Sequence, residues 1–291
     1  MGITHISGYR GLKLAAEALG DPTHPGVVLL HGGGQTHHSW SGAARELVSA
    51  GCYTLSVDLR GHGDSAWAPD GDYSLDAYSG DVAYIARSLN TPPTLVGASL
   101  GGAASLIAVG EAMERGEPPL AQALVLVDVA PQMSSEGIDR IRGFMAARPN
   151  GFASLQEAAD EIARYLPHRP RPANLAGLRK NLREGQDGRW RWHWDPAFRG
   201  DRSPGGVGDL SARMEAAARH VQIPTLIVRG MRSELINEDS VQHLLSLIPH
   251  AITAEVAGAS HMVAGDRNDA FNAVIQDFLR IELPLSANRS D

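Results

Sequence analysis

One cysteine, Cys52, occurs in 291 residues. A lone thiol closes no internal disulfide, so nothing here marks an oxidising compartment; Cys52 opens an apolar run and is expected as a small core residue. No apolar run reaches the length, about 20 residues, that a membrane-spanning helix needs. Positive charge is not concentrated either. There are 26 Lys and Arg against 33 Asp and Glu, a formal net charge of -7, which disfavours a nucleic-acid surface. The arginines between Arg164 and Arg202 are interleaved with Asp and Glu and are expected on a solvated helical face. Residues Met1–Arg10 lack the apolar core of a signal peptide, and Ile6 stands where a myristoylation signal needs Ser or Thr. The expectation is a cytoplasmic protein, monomer or homodimer, acting on a small molecule without nucleic-acid or membrane partners. Aromatic residues are scarce at 5%, which makes Trp190-Arg191-Trp192-His193-Trp194 conspicuous.

What the chain does have is alternation. Short β-branched runs at Val27–Leu30, Tyr53–Val57, Thr94–Val96, Ala123–Val127, Thr225–Val228 and Ile252–Val256 are separated by helical patterns at Trp40–Ser49, Leu75–Leu89, Leu100–Glu114, Asp239–Leu247 and Asn268–Arg280. Ser74 and Asn237 or Glu238 are candidate helix caps. Weaker runs at Ile3–Ser7 and Leu12–Ala18 predict an antiparallel start. The pattern predicts an α/β fold with a mostly parallel eight-stranded sheet flanked by helices. Alternation breaks between Pro131 and Val221, where helical patterns at Glu136–Ala147, Leu155–Tyr165 and Leu175–Arg183 accompany the proline-rich Pro167–Pro172 and the Trp cluster. Residues 131–221 are therefore expected as an inserted helical lid, and 1–130 with 222–291 as the core. The polar tail after Leu283 is expected to fray.

Ser99 sits in Gly97-Ala98-Ser99-Leu100-Gly101, between an apolar run and an Ala-rich helical pattern. A strand-to-helix turn of this kind strains the serine backbone and lifts its hydroxyl clear of the sheet; small neighbours let the chain pass itself closely. Serine needs a base to become a nucleophile. Of the histidines, His261 is best placed, in Gly258-Ala259-Ser260-His261 between the last strand and the last helix. His243 and His250 read as solvated, and His62, in Arg60-Gly61-His62-Gly63-Asp64-Ser65, as part of a structural turn. His31-Gly32-Gly33-Gly34 follows a strand, with His31 as a structural anchor. Glycines there let backbone amides face a developing oxyanion, and the expected donors are the N–H groups of Gly33 and Leu100. His37, His38 and Trp40 are candidates for the pocket entrance.

Together these motifs resemble the α/β-hydrolase superfamily, in the lidded branch that holds esterases, lactonases, cofactor-free haloperoxidases and carbon–carbon bond hydrolases. The resemblance covers nearly the whole chain and is weakest in the lid. It implies a serine hydrolase that cleaves a carboxylic ester or lactone through an acyl-enzyme, with no cofactor and no metal. Members of the family usually carry an Asp three residues after the glycine ending the seventh strand. Here that position holds Ser233, in Gly230-Met231-Arg232-Ser233-Glu234. Two carboxylates could replace it: Asp128, ending the sixth strand, which is favoured, and Glu234, the alternative, which would otherwise be a surface charge pairing with Arg229 or Arg232. Trp192 and Trp194 are expected to form an apolar substrate wall, or else to glue the lid to the body. A cofactor-independent dioxygenase, a perhydrolase or a carbon–carbon bond hydrolase could use the same triad, and a hydrolase-like receptor would keep it without turnover.

Overall fold

The structure, a computed structural model, describes residues 2–167, 175–198, 206–261 and 268–282. Most of Pro167–Pro172 and the tail after Leu283 lie outside the described residues.

Eight strands form one sheet. They are β1 (Gly2–Ser7), β2 (Lys13–Leu19), β3 (Gly26–Leu30), β4 (Tyr53–Val57), β5 (Thr94–Ala98), β6 (Ala123–Val127), and, beyond a small hairpin, β9 (Thr225–Gly230) and β10 (Ile252–Val256), in the order β1-β2-β4-β3-β5-β6-β9-β10. β1 and β2 pair antiparallel, as does β2 with β4; every other pairing is parallel. β3 and β6 are continuous Val/Leu/Ala runs because both of their faces are covered. Alternate residues feed two cores. Val28 and Leu30 point to α2 (Leu75–Arg87), α3 (Leu100–Glu114) and α6 (Gly206–Ala218), whereas Val27 and Leu29 point to α1 (Ser41–Ser49) and α8 (Asn268–Glu282). The expected caps are present: Ser74 accepts from Ala77 N, and Asn237 caps α7 (Glu238–Leu247) in a reciprocal box with Ser240. Cys52 is buried, and burial pushes its thiol up to about 11.

Between β6 and β9 the chain leaves the sheet. It forms α4 (Ser135–Ala146), α5 (Leu155–Tyr165), a 3-10 stretch Leu175–Lys180, and the hairpin β7 (Leu182–Glu184) and β8 (Trp190–Trp192) before α6, which packs against α3. The hairpin corrects two expectations: Leu175–Arg183 is not one helix, and the insertion is not wholly helical. The reason is period-2 patterning around Trp190-Arg191-Trp192. Leu182 pairs with Trp192 and Glu184 with Trp190 on one face, and Arg183 with Arg191 on the other. Leu182 and Trp190 join Phe152, Ala158 and Leu178 in a small core of the insertion's own. Of the described arginines in this region, Arg164 lies on the exposed face of α5, as expected, whereas Arg179 lies in the 3-10 stretch and Arg183, Arg189 and Arg191 on the hairpin.

Candidate active site

The sheet brings four chain segments to one edge. Parallel strands β5, β6, β9 and β10 are neighbours, and Ser99, Asp128, Ser233 and His261 all follow their carboxyl ends. Ser99 has φ 46° and ψ -113°. That left-handed conformation costs a non-glycine residue on the order of 1–3 kcal/mol and is held by its surroundings. A Cβ on Gly97 would lie 2.5 Å from Gly101 O, and one on Gly101 would lie 2.5 Å from Leu30 O. Only hydrogen at these positions lets strand, turn and helix approach so closely. Ser99 N donates to Val127 O at 3.1 Å, tying the turn to the end of β6.

Asp128 follows directly, also in the left-handed region at φ 52°, and is fully buried. Its Oδ1 accepts from Gly230 N at 3.1 Å, and its Oδ2 accepts from Ser233 Oγ at 2.6 Å and faces His261 Nδ1 at 2.7 Å. The ring of His261 thus has its Nδ1 edge held, leaving Nε2 on the opposite edge. Ser233 Oγ in turn accepts from Leu235 N at 3.1 Å and Ile236 N at 3.3 Å, which directs its own proton to Asp128. Glu234 turns to the insertion, 3.9 Å from Arg140 Nη1. Its expected surface partner Arg229 pairs with Glu255 and Glu238 instead.

The glycine loop after β3 is held by three imidazoles. His31 donates from Nδ1 to Gly32 O at 2.7 Å and accepts at Nε2 from Leu59 N at 3.0 Å. His62 donates from Nδ1 to Arg60 O at 2.9 Å and accepts at Nε2 from Gly34 N at 3.0 Å. His193 accepts at Nδ1 from Gly63 N at 2.7 Å and turns Nε2 to Gly34 O at 3.4 Å. Each ring accepts a backbone N–H, so each is neutral. Burial agrees, lowering His31, lowering His62 well below the ordinary range, and pushing His193 down to about 3. Within this loop a Cβ on Gly32 would meet Ser99 Cβ at 3.3 Å, and one on Gly33 would come within 4.0 Å of Leu100 Cδ2. Gly33 and Leu100 are therefore neighbours beside Ser99.

The turn bearing His62 is itself fixed. Arg60 makes a two-pronged ion pair with buried Asp81, at 2.6 and 2.8 Å, and donates to Asp72 O at 3.0 Å. From the insertion, Asp195 N donates to Gly61 O at 2.8 Å, and the Asp195 carboxylate accepts from Tyr73 OH. Trp192 and Trp194 stack 4.8 Å apart. Trp192 also packs on Phe144 and Phe152, while Trp194 reaches the glycine loop, 3.3 Å from where a Cβ on Gly34 would stand.

Trp40 does not reach a pocket entrance: it is buried against Phe271 on the α8 face. His37 faces Asp58 at 3.0 Å, and the His38 ring packs against His37 at a tilt of 43°. His243 is half-buried and pairs with Glu215 at 3.0 Å, against the expectation that it is free in solvent. Sequence reasoning placed Ser233 at the usual acid position but not as a donor to Asp128, and it gave His193 no role. Their partners lie more than 100 positions away, beyond the reach of any local motif. Among the described residues no group of three His, Cys, Asp or Glu is arranged to hold a metal, and no helix is long and apolar enough to cross a membrane.

An eight-stranded, mostly parallel sheet with Ser99, Asp128 and His261 beyond the carboxyl ends of β5, β6 and β10 defines a class, and the family described as alpha/beta hydrolase fold matches residues 25–267. The chain belongs to that family. Among curated proteins it is 31% identical over 262 residues to esterase Rv0045c of Mycobacterium tuberculosis, covering 88% of this chain and 83% of that protein. It is 28% identical over 264 residues to 3-hydroxybutyrate-oligomer hydrolase of Cupriavidus necator, covering 86% and 87%. Among solved structures, E-2-(acetamidomethylene)succinate hydrolase superposes with a TM-score of 0.80 over 96% of this chain and 99% of its own, at 24% identity, a likeness of fold.

Proposed function

We propose that the protein is a serine hydrolase that cleaves a carboxylic ester or lactone of a small, moderately hydrophobic molecule. The observation that carries this is the 2.7 Å contact of His261 Nδ1 with buried Asp128, at the strand ends beside the strained turn of Ser99. The esterase and the oligomer hydrolase named above support ester bonds as the target.

In this mechanism Ser99 Oγ attacks the ester carbonyl carbon, and His261 Nε2 takes the hydroxyl proton. Asp128 accepts from Nδ1–H, fixes the tautomer and stabilises the imidazolium. The tetrahedral oxyanion lies between Gly33 N–H and Leu100 N–H. The second is at the first turn of α3, where amides have no partner within the helix and the helix dipole favours negative charge. His261 then protonates the leaving alkoxide, the C–O bond breaks, and an acyl-Ser99 ester remains. Water, deprotonated by the same Nε2, hydrolyses it. Residues 131–221 act as a lid, with Trp192 and Trp194 forming part of the acyl or alcohol wall.

The test is a series of p-nitrophenyl esters together with a fluorophosphonate probe. Wild type turns over the esters and is labelled at Ser99; Ser99→Ala is folded, unlabelled and slower by several orders of magnitude. Unchanged turnover in a clean Ser99→Ala preparation overturns the mechanism.

A further inference from the structure

One cleft has no residue of the Ser99 turn in its lining. It has a volume of about 300 Å³ and is lined by Thr36, His37 and His38 after β3, by Asp58, Gly63 and Asp64 after β4, and by Arg179, Lys180 and Arg183 of the insertion. β3 stands between β4 and β5 in the sheet. The glycine loop after β3 therefore separates this cleft from the turn that bears Ser99.

Its charges do not cancel. Asp58 is engaged by His37 Nδ1 at 3.0 Å, by His37 N at 2.7 Å and by Asp64 N at 2.9 Å. Burial would raise both the Asp58 carboxyl and the neutral fraction of His37, yet their mutual contact outweighs it. His37 is raised and Asp58 lowered, so each favours the charged form of the other. Asp64 accepts from Arg183 Nη2 at 2.8 Å. Both acids therefore already face a basic partner within the cleft. Two cations remain without a carboxylate among the described residues. Lys180 is exposed, and Arg179 sits over Trp190 with its guanidinium carbon 4.7 Å from the ring centre. A guanidinium held over an aromatic face by cation–π attraction keeps N–H groups free to donate. On the opposite wall Thr36 is 2% exposed, and its buried Oγ1 has no hydrogen-bond partner among the described residues. A ligand oxygen that reached this hydroxyl would supply the partner it lacks.

We propose that this cleft binds an oxyanion, the phosphate or carboxylate group of a small molecule, between Arg179 and Lys180 on one wall and the Thr36 hydroxyl on the other. This assignment is independent of the hydrolytic reading of Ser99. Calorimetric titration of the Ser99→Ala protein with sodium phosphate, and separately with sodium succinate, at an ionic strength held constant with sodium chloride, tests it. Saturable binding of at least one of the two is expected. Phosphate alone would assign a tetrahedral group, and succinate alone a carboxylate. Lys180→Gln, on the surface, should weaken that binding at least fivefold, and Thr36→Val, which preserves shape, at least threefold. If neither anion binds saturably, or if Lys180→Gln leaves the affinity unchanged, the proposal is wrong.

Discussion

Ser233 Oγ donates to Asp128 Oδ2 across 2.6 Å, and the same carboxylate oxygen faces His261 Nδ1 at 2.7 Å. The residue at the position where the family usually carries its acid is thus bonded to the carboxylate that stands at the imidazole. A hydrogen bond to a charged group is worth about 1.5–3 kcal/mol. Ser233→Ala should lower kcat by roughly 10- to 100-fold with little change in KM, measured on a p-nitrophenyl ester. Asp128→Asn should cost on the order of 10³- to 10⁴-fold by favouring the wrong tautomer. Glu234→Gln, whose carboxylate faces Arg140, should leave turnover within about twofold. A larger loss from Glu234→Gln than from Asp128→Asn would transfer the role.

His62→Ala should damage catalysis from outside the reacting groups. It removes the acceptor of Gly34 N–H, at 3.0 Å, in the loop that carries Gly33. The expected outcome is a fall in kcat of about 10-fold or more with fluorophosphonate labelling at Ser99 retained, because positioning of an oxyanion donor is lost while the nucleophile stays. Loss of labelling together with kcat would instead indicate collapse of the whole site.

Stability should decline as pH falls below about 6.5, the ordinary histidine value. His31, His62 and His193 are lowered by burial, His193 to about 3. Between those limits the unfolded chain binds protons that the folded protein refuses, so each ring contributes a slope of about 1.4 kcal/mol per pH unit that favours folding at higher pH. Asp58, lowered by His37, adds a loss at still lower pH; His37, raised, contributes in the opposite sense and loses its share as pH rises. Melting temperature against pH measures the sum. His193→Gln should flatten the slope between about pH 6 and 4, and an unchanged slope would count against a neutral His193.

Trp194→Ala should alter selectivity. Trp194 stacks on Trp192 and stands against Gly34. Rates on aromatic or long-chain esters should fall at least fivefold more than the rate on a small acetate ester. Equal losses across the series would assign Trp194 to packing alone.

The sheet was legible because its strands are short β-branched runs covered on both faces, and the Ser99 turn because Gly97 and Gly101 are required by backbones in contact. Asp128 was legible as a candidate because Ser233 occupies the usual acid position. The β7–β8 hairpin was not. Its strands are three residues long, and Leu175, Leu178 and Leu182 carry a helical spacing that the chain uses for a 3-10 turn and a strand. Trp40 looked like a pocket residue because its partner, Phe271, is 231 positions away, a contact that only the packing of α8 creates. The three imidazoles grip backbone N–H groups, which every residue but proline possesses, so sequence carries no trace of which amide is chosen.

Gly34 belongs to two bodies at once. The core holds its N–H through His62, and the insertion approaches its carbonyl through His193 and covers it with Trp194. Docking of the insertion and the shape of the glycine loop are consequently a single equilibrium viewed from two ends. Linkage makes that coupling reciprocal: an adduct on Ser99 whose oxygen grips the loop must also tighten the insertion, and residues 175–198 should then resist proteolysis although nothing has touched them.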